Sequence, residues 1–154
     1  MTPNSFARSF SIEATRPNAA EIAALADILP PGTPVYFSAV PTIEPPELIG
    51  AAALLRKSGL EPVVHIAARR LRAAADLQDL LKSLRGEADI RRLLVIGGDV
   101  DAAGPFPDAL AVIQKGRLRE AGPDQEDMLI FGILRRECPG KVLDTRTVVG
   151  EVAR

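Results

Sequence analysis

Three stretches of this chain carry side chains able to do chemistry, and each adjoins an apolar run. Glu13 follows Phe10-Ser11-Ile12, His65 lies within Val63-Val64-His65-Ile66, and Gly97-Gly98-Asp99 follows Leu93-Leu94-Val95-Ile96. A glutamate closing a strand beside Phe10 and Ile12 suits a general acid, because desolvation favours its protonated form. Its plainer reading is a loop carboxylate or an ion-pair partner for Arg16. His65 alternates with Val64 and Ile66, so it faces the other side of its strand and either reaches a bound group or is a hydrogen-bonded core residue. Gly97 and Gly98 carry no Cβ and let the backbone approach a ligand closely. Asp99 can then hydrogen-bond a cofactor or tune its electronics. The competing reading is a tight turn in which Asp99, or Asp101, caps a helix. Ser38 offers a hydroxyl to a ligand, or is a satisfied polar group in its sheet. In parallel α/β proteins such residues gather at the carboxyl ends of strands.

The elements that must position them follow from hydrophobic period. Strands are predicted over 9–14, 35–40, 62–67 and 93–96, and helices over 19–29, 47–57, 73–85 and 106–121. Asn18 with Glu21 forms a capping-box pattern, Pro30-Pro31-Gly32 stops the first helix, and Ser58-Gly59 closes the second. Leu77, Leu80, Leu81 and Leu84 give the third helix its apolar stripe. The strands recur at about 26 to 31 residues, the length of a strand–helix unit. Residues 128–134 continue that spacing as a candidate fifth strand. Apolar strands alternating with helices predict an α/β fold with a parallel sheet. Four or five such units fit an open doubly wound sheet or a partial TIM-type barrel. A complete eight-unit barrel typically needs about 250 residues, more than the 154 present.

Composition excludes several classes. The net charge is −1 with no long basic run, which argues against nucleic-acid binding driven by phosphate contacts. The cluster Arg69-Arg70-Leu71-Arg72 reads as a solvated face at a helix start. One cysteine, Cys138, and one histidine cannot build an internal disulfide or a Cys/His zinc site. Cys138 also has no histidine near it in sequence to activate it. Residues 1–8 lack a signal-peptide core, and no segment has the roughly 20 apolar residues that span a bilayer. The expectation is a cytoplasmic protein with no membrane partner. Neither G-x-G-x-x-G after the first strand nor a Walker lysine motif occurs.

Taken together, the three stretches resemble the methylenetetrahydrofolate reductase family. Ser11-Ile12-Glu13-Ala14-Thr15-Arg16-Pro17 is similar to the family's first-strand Ser-Phe-Glu-Phe-Phe-Pro-Pro. Gly59-Leu60-Glu61-Pro62-Val63-Val64-His65-Ile66 resembles its third strand, and Leu94-Val95-Ile96-Gly97-Gly98-Asp99 resembles its fourth, Leu-Ala-Leu-Arg-Gly-Asp. The matches keep the family's order and approximate spacing over residues 9–122. The resemblance implies a flavin-containing (β/α) barrel in which NAD(P)H reduces FAD and the reduced flavin passes hydride to 5,10-methylenetetrahydrofolate. It puts Glu13 on the catalytic acid that assists opening of the folate's one-carbon bridge, and Asp99 on the aspartate beside the flavin. It puts His65 and Gly98 on flavin-contacting positions, and Ser38 near a flavin-contacting threonine.

The departures are specific. Ala14-Thr15-Arg16-Pro17 replaces Phe-Phe-Pro-Pro, and Gly97 replaces the arginine before Gly-Asp, removing a contact to FAD phosphate or ribose. The family's Gly-Tyr-Pro-Glu-x-His-Pro-like fifth-strand motif is not recognisable in 128–140. The expectation is therefore a divergent or truncated member: a partial barrel over 1–122 and a divergent tail over 123–154. Open sheet edges would favour a homo-oligomer or a partner subunit that completes the barrel. Two other readings stand beside it, a non-catalytic half-barrel interaction subunit and an open α/β domain binding a small phosphorylated ligand.

Overall fold

The computed structural model describes residues 10–38, 44–115 and 129–133. Strands and helices alternate along them: β1 (Ile12–Ala14), α1 (Ala19–Ile28), β2 (Pro34–Ser38), α2 (Pro45–Lys57), β3 (Glu61–Ala67), a 3-10 turn (Ala68–Arg70), α3 (Ala74–Ala88), β4 (Arg92–Ile96), α4 (Ala109–Lys115) and β5 (Leu129–Ile133). The protein is α/β with parallel strand pairing. It divides into two compact units, Met1–His65 with Lys82–Arg91, and Ile66–Leu81 with Arg92–Arg154. The domain boundary expected at residue 122 and the thiol of Cys138 lie outside the described residues.

In the first unit β2 pairs in parallel with β1 and with β3, bringing Glu13 beside Tyr36, Tyr36 beside Val63, and Ser38 beside His65. Side chains alternate across a strand. Val35, Phe37 and Val64 on one face are at most 1% exposed. Ile22 of α1 and Leu48, Ala52 and Leu55 of α2 are buried too, the last three spaced to share one helical face. β1 is shorter than predicted. Phe10 and Ser11 precede it, and Phe10 remains 38% exposed.

Local chemistry fixes the helix ends. Asn18 Oδ1 accepts from the N–H groups of Ala20 (2.9 Å) and Glu21 (3.0 Å), and Glu21 Oε2 accepts from the N–H of Asn18 (2.8 Å). The predicted capping box is thus complete. α2 begins two residues earlier than predicted because prolines 45 and 46 fill its first turn, where a missing N–H costs nothing. It closes as expected at Gly59, whose N–H donates to Arg56 O (3.0 Å) while Leu60 N–H donates to Leu55 O (3.1 Å).

One charged knot joins three segments of this unit. Arg56 of α2 grips the Glu61 carboxylate at the start of β3 with both terminal nitrogens, Nη2 to Oε1 at 2.9 Å. The same Nη2 donates to the carbonyl of Asp89 at 2.9 Å, in the turn after α3. The Arg56 and Glu61 side chains are only 22% and 14% exposed. Desolvated charge must be paired, so the fork is a requirement of the fold.

The second unit holds β4 paired in parallel with β5, from Arg92 beside Leu129 to Ile96 beside Ile133. The backbone of β5 falls where the repeat spacing expected it. Leu93 and Val95 are fully buried while Arg92, Leu94 and Ile96 are half-buried, so β4 alternates. α4 lies against β4, β5 and the 3-10 turn. It starts at Ala109, three residues later than predicted. Phe106 precedes a proline and is disfavoured from helical backbone, and Asp108 supplies the cap by accepting from Ala111 N–H at 2.8 Å.

Replacing Arg56 with methionine leaves the Glu61 carboxylate desolvated beside an apolar chain. We expect a loss of about 1–3 kcal/mol, read as a lower urea midpoint.

Candidate functional site

The residues singled out from sequence are carried by the carboxyl-terminal parts of parallel strands and the loops that follow them. In the first unit Glu13 of β1, Tyr36 of β2 and His65 of β3 share the sheet face opposite Val35, Phe37 and Val64. The rings of Tyr36 and His65 meet edge to face, with centroids 5.8 Å apart and planes at 64°. His65 is 8% exposed, whereas Glu13 is exposed and Tyr36 half-buried. Burial holds the His65 imidazole below its ordinary basicity, and the nearby Glu13 carboxylate acts in the opposite sense. Ser38 stands in register with His65.

The apolar enclosure expected around Glu13 is not formed by its described neighbours, since Phe10 is exposed and Ile12 half-buried. Arg16 donates to Glu47 Oε1 at 3.0 Å. Arg16 takes a left-handed backbone (φ 49°) just before Pro17, an unfavourable conformation for a non-glycine residue. The loop leaving β1 is therefore bent sharply and tied to the first turn of α2.

Gly98 and Asp99 belong to the second unit, where the basic cluster has a different role from the one predicted. Arg69 and Arg70 are half-buried and form the 3-10 turn after β3. Arg69 holds the loop after β4 at several points, among them a long bond from Nη1 to Gly98 O (3.5 Å). Its N–H donates to Gly97 O (3.0 Å), its carbonyl accepts from Ala103 N–H (2.8 Å), and its Nε donates to Pro107 O (2.8 Å). Arg70 Nη2 donates to Asp99 Oδ1 at 3.0 Å. That hydrogen bond, a bond from the Asp99 backbone and the Arg70 charge hold the Asp99 carboxyl below its ordinary value. Neither Asp99 nor Asp101 caps α4; Asp108 does.

The two glycines of this loop that matter do so for different reasons. Gly98 has φ +98°, a conformation L side chains rarely adopt, although a Cβ there would meet nothing closer than Arg69 Cβ at 3.6 Å. A Cβ on Gly104 would stand 2.3 Å from Arg72 O and 2.5 Å from Leu71 O. Gly104 thus admits close backbone approach and gives a reason for the glycine beyond loop flexibility.

Three residues escaped the sequence reading. Tyr36 shares the parity of Ser38 in β2, so strand alternation alone could have found it. Arg69 and Arg70 had no local signal, because their partners lie about 30 residues further along the chain. Among the described residues no group of three or more His, Cys, Asp or Glu could hold a metal ion, and no helix is long and apolar enough to cross a membrane. No protein-family model matches the chain.

Two outcomes follow from this geometry. Gly104→Ala forces the loop away from Leu71 and Arg72 and should cost about 1–3 kcal/mol of stability, measured by thermal unfolding. His65 is less basic folded than unfolded, where its value is near 6.5. As pH falls through 6.5 the unfolded chain protonates first, and stability declines until folded His65 also takes its proton. The wild type should lose more stability than His65→Asn over that window in urea titrations at stepped pH, and parallel curves would contradict the assignment.

Proposed function

We propose that this chain is the amino-terminal part of a flavin-dependent reductase of the methylenetetrahydrofolate reductase type, built as half of a (β/α) barrel. The observation that carries this reading is the shared sheet face of Glu13, Tyr36 and His65, with parallel strands leading to it. Ligand sites of parallel α/β proteins lie beyond the carboxyl ends of their strands. The residues present fit a flavin in kind. Within the first unit His65 lies on a largely desolvated face beside Tyr36. Within the second, taken by itself, Gly98 exposes backbone in a conformation free of a side chain and Asp99 is an ionised carboxylate in the same loop. Bound FAD would supply hydride transfer from NAD(P)H to 5,10-methylenetetrahydrofolate.

The chain's own residues would divide the remaining work. Glu13 would be the proton donor to a substrate nitrogen once bound cofactor and substrate cover it. Asp99, aimed by the hydrogen bond from Arg70, would supply negative charge to a cationic group bound at its own loop. His65 would hold the cofactor's edge. Half-buried Leu94 and Ile96 on the second face of β4 suit coverage by further barrel strands, supplied by a second copy or a partner subunit.

A second reading has its own support. Asp99 is 82% exposed and engaged by Arg70, an arrangement equally suited to a half-barrel that serves only as an interaction subunit. Titrating the purified chain with FAD separates the two. The reductase reading expects quenched flavin emission and retention of yellow colour on gel filtration. It expects Glu13→Gln to keep FAD binding and NAD(P)H oxidation while folate-dependent flavin reoxidation falls by about 10²-fold or more. Unquenched flavin and a colourless protein would overturn it in favour of the interaction subunit.

A further inference from the structure

The face shared by Glu13 and His65 contains a third side chain with a specific geometry. We propose that Tyr36 is a positioning residue of this site: its ring, set edge to face against His65, fixes the imidazole beside Glu13 and shields it from water. The register brings the three residues to one face. Tyr36 is paired directly with Glu13 on one side and with Val63 on the other, and His65 follows Val63 by two residues on the same face. The 5.8 Å centroid separation and 64° interplanar angle lie in the favourable edge-to-face range for two aromatic rings. Tyr36 thus stands between an exposed acid and a nearly buried base.

The ionisable groups facing His65 from the described strands of its unit are few. Glu13 comes from β1 and Tyr36 from β2. On β3 itself Glu61 is four residues toward the strand start and held by Arg56. An imidazole so placed has its orientation set by packing on the Tyr36 side and its charge set by the balance of burial against Glu13. Removing the Tyr36 ring should free the imidazole to turn and admit water. The phenol oxygen is not required for this, so phenylalanine should preserve the effect.

The catalytic meaning of this arrangement rests on the flavin reading, but its physical content does not. The chain has one histidine, one tyrosine and no tryptophan. A single imidazole C2–H signal therefore reports His65 alone in proton NMR, with no flavin added. In the wild type we expect a titration midpoint below 6.5, a C2–H shift displaced from the free-histidine value, and a nuclear Overhauser contact to the Tyr36 ring. Tyr36→Phe should retain the displaced shift and midpoint. Tyr36→Ala should move both toward free-histidine values, while Glu13→Gln should move the midpoint further down. A folded Tyr36→Ala whose His65 shift and titration match the wild type would overturn the proposal. If that variant does not fold, absence of the Tyr36–His65 contact in the wild type would overturn it equally. A failed FAD titration with these NMR results intact would sink the reductase reading and leave the positioning role standing.

Discussion

The parallel register of β1, β2 and β3 is the constraint on which the first unit depends. Side chains alternate with period two, so a slip of β2 by one residue would turn Val35 and Phe37 out of the core and Tyr36 into it. Those two residues are 0% and 1% exposed. Burying a large apolar side chain contributes about 1.5–3 kcal/mol, so a slip would forfeit several kcal/mol. The placement of Tyr36 beside Glu13, and of His65 two positions beyond Val63, follows from apolar burial on the opposite face. The polar face has its geometry because the apolar face has its packing.

The two ends of β3 show how stability and chemistry separate along one strand. At its start Glu61 is nearly buried and fully engaged by Arg56, which also reaches the Asp89 carbonyl. Each group there has a structural partner, and the knot joins α2, β3 and the turn leaving α3. Near its other end His65 sits in a burial that disfavours its charged form, with Glu13 opposing that effect. A group poised between two such influences can change protonation with modest changes nearby. Parallel α/β proteins generally keep this polarity, with scaffold at strand starts and chemistry at strand ends.

Features set by neighbours in sequence were legible, and features set by distant partners were not. The Asn18–Glu21 capping box, the close of α2 at Gly59 and the apolar runs of β3 and β4 all depend on residues within a few positions of one another. Apolar period alone starts α4 at Phe106, but Pro107 and the Asp108 cap together exclude that residue from the helix. The run 69–72 looked like a solvated basic face because nothing near it in sequence reveals that Arg69 binds the backbone at 97, 103 and 107. The candidate acid, histidine and Gly-Asp pair were visible from residue type and strand position. Tyr36 was not, because it stands in mid-strand and carries no group that ionises near neutral pH, so only the parity it shares with Ser38 marks it.

The loop after β4 separates two kinds of control over Asp99. Its backbone is held at Gly97 and Ala103 by the main chain of Arg69, and Gly104 is pressed against the carbonyls of Leu71 and Arg72. These contacts involve no charged side chain and are insensitive to salt. The direction of the Asp99 carboxylate is set differently, by one guanidinium nitrogen of Arg70 reaching a side chain that is 82% exposed. Such a pair is screened by mobile ions and worth little to folding. The loop's path and the carboxylate's aim are therefore separable: salt, or loss of Arg70, would free the second while leaving the first in place. A charged ligand approaching this mouth would compete with Arg70 for the carboxylate without having to unfold the loop that carries it.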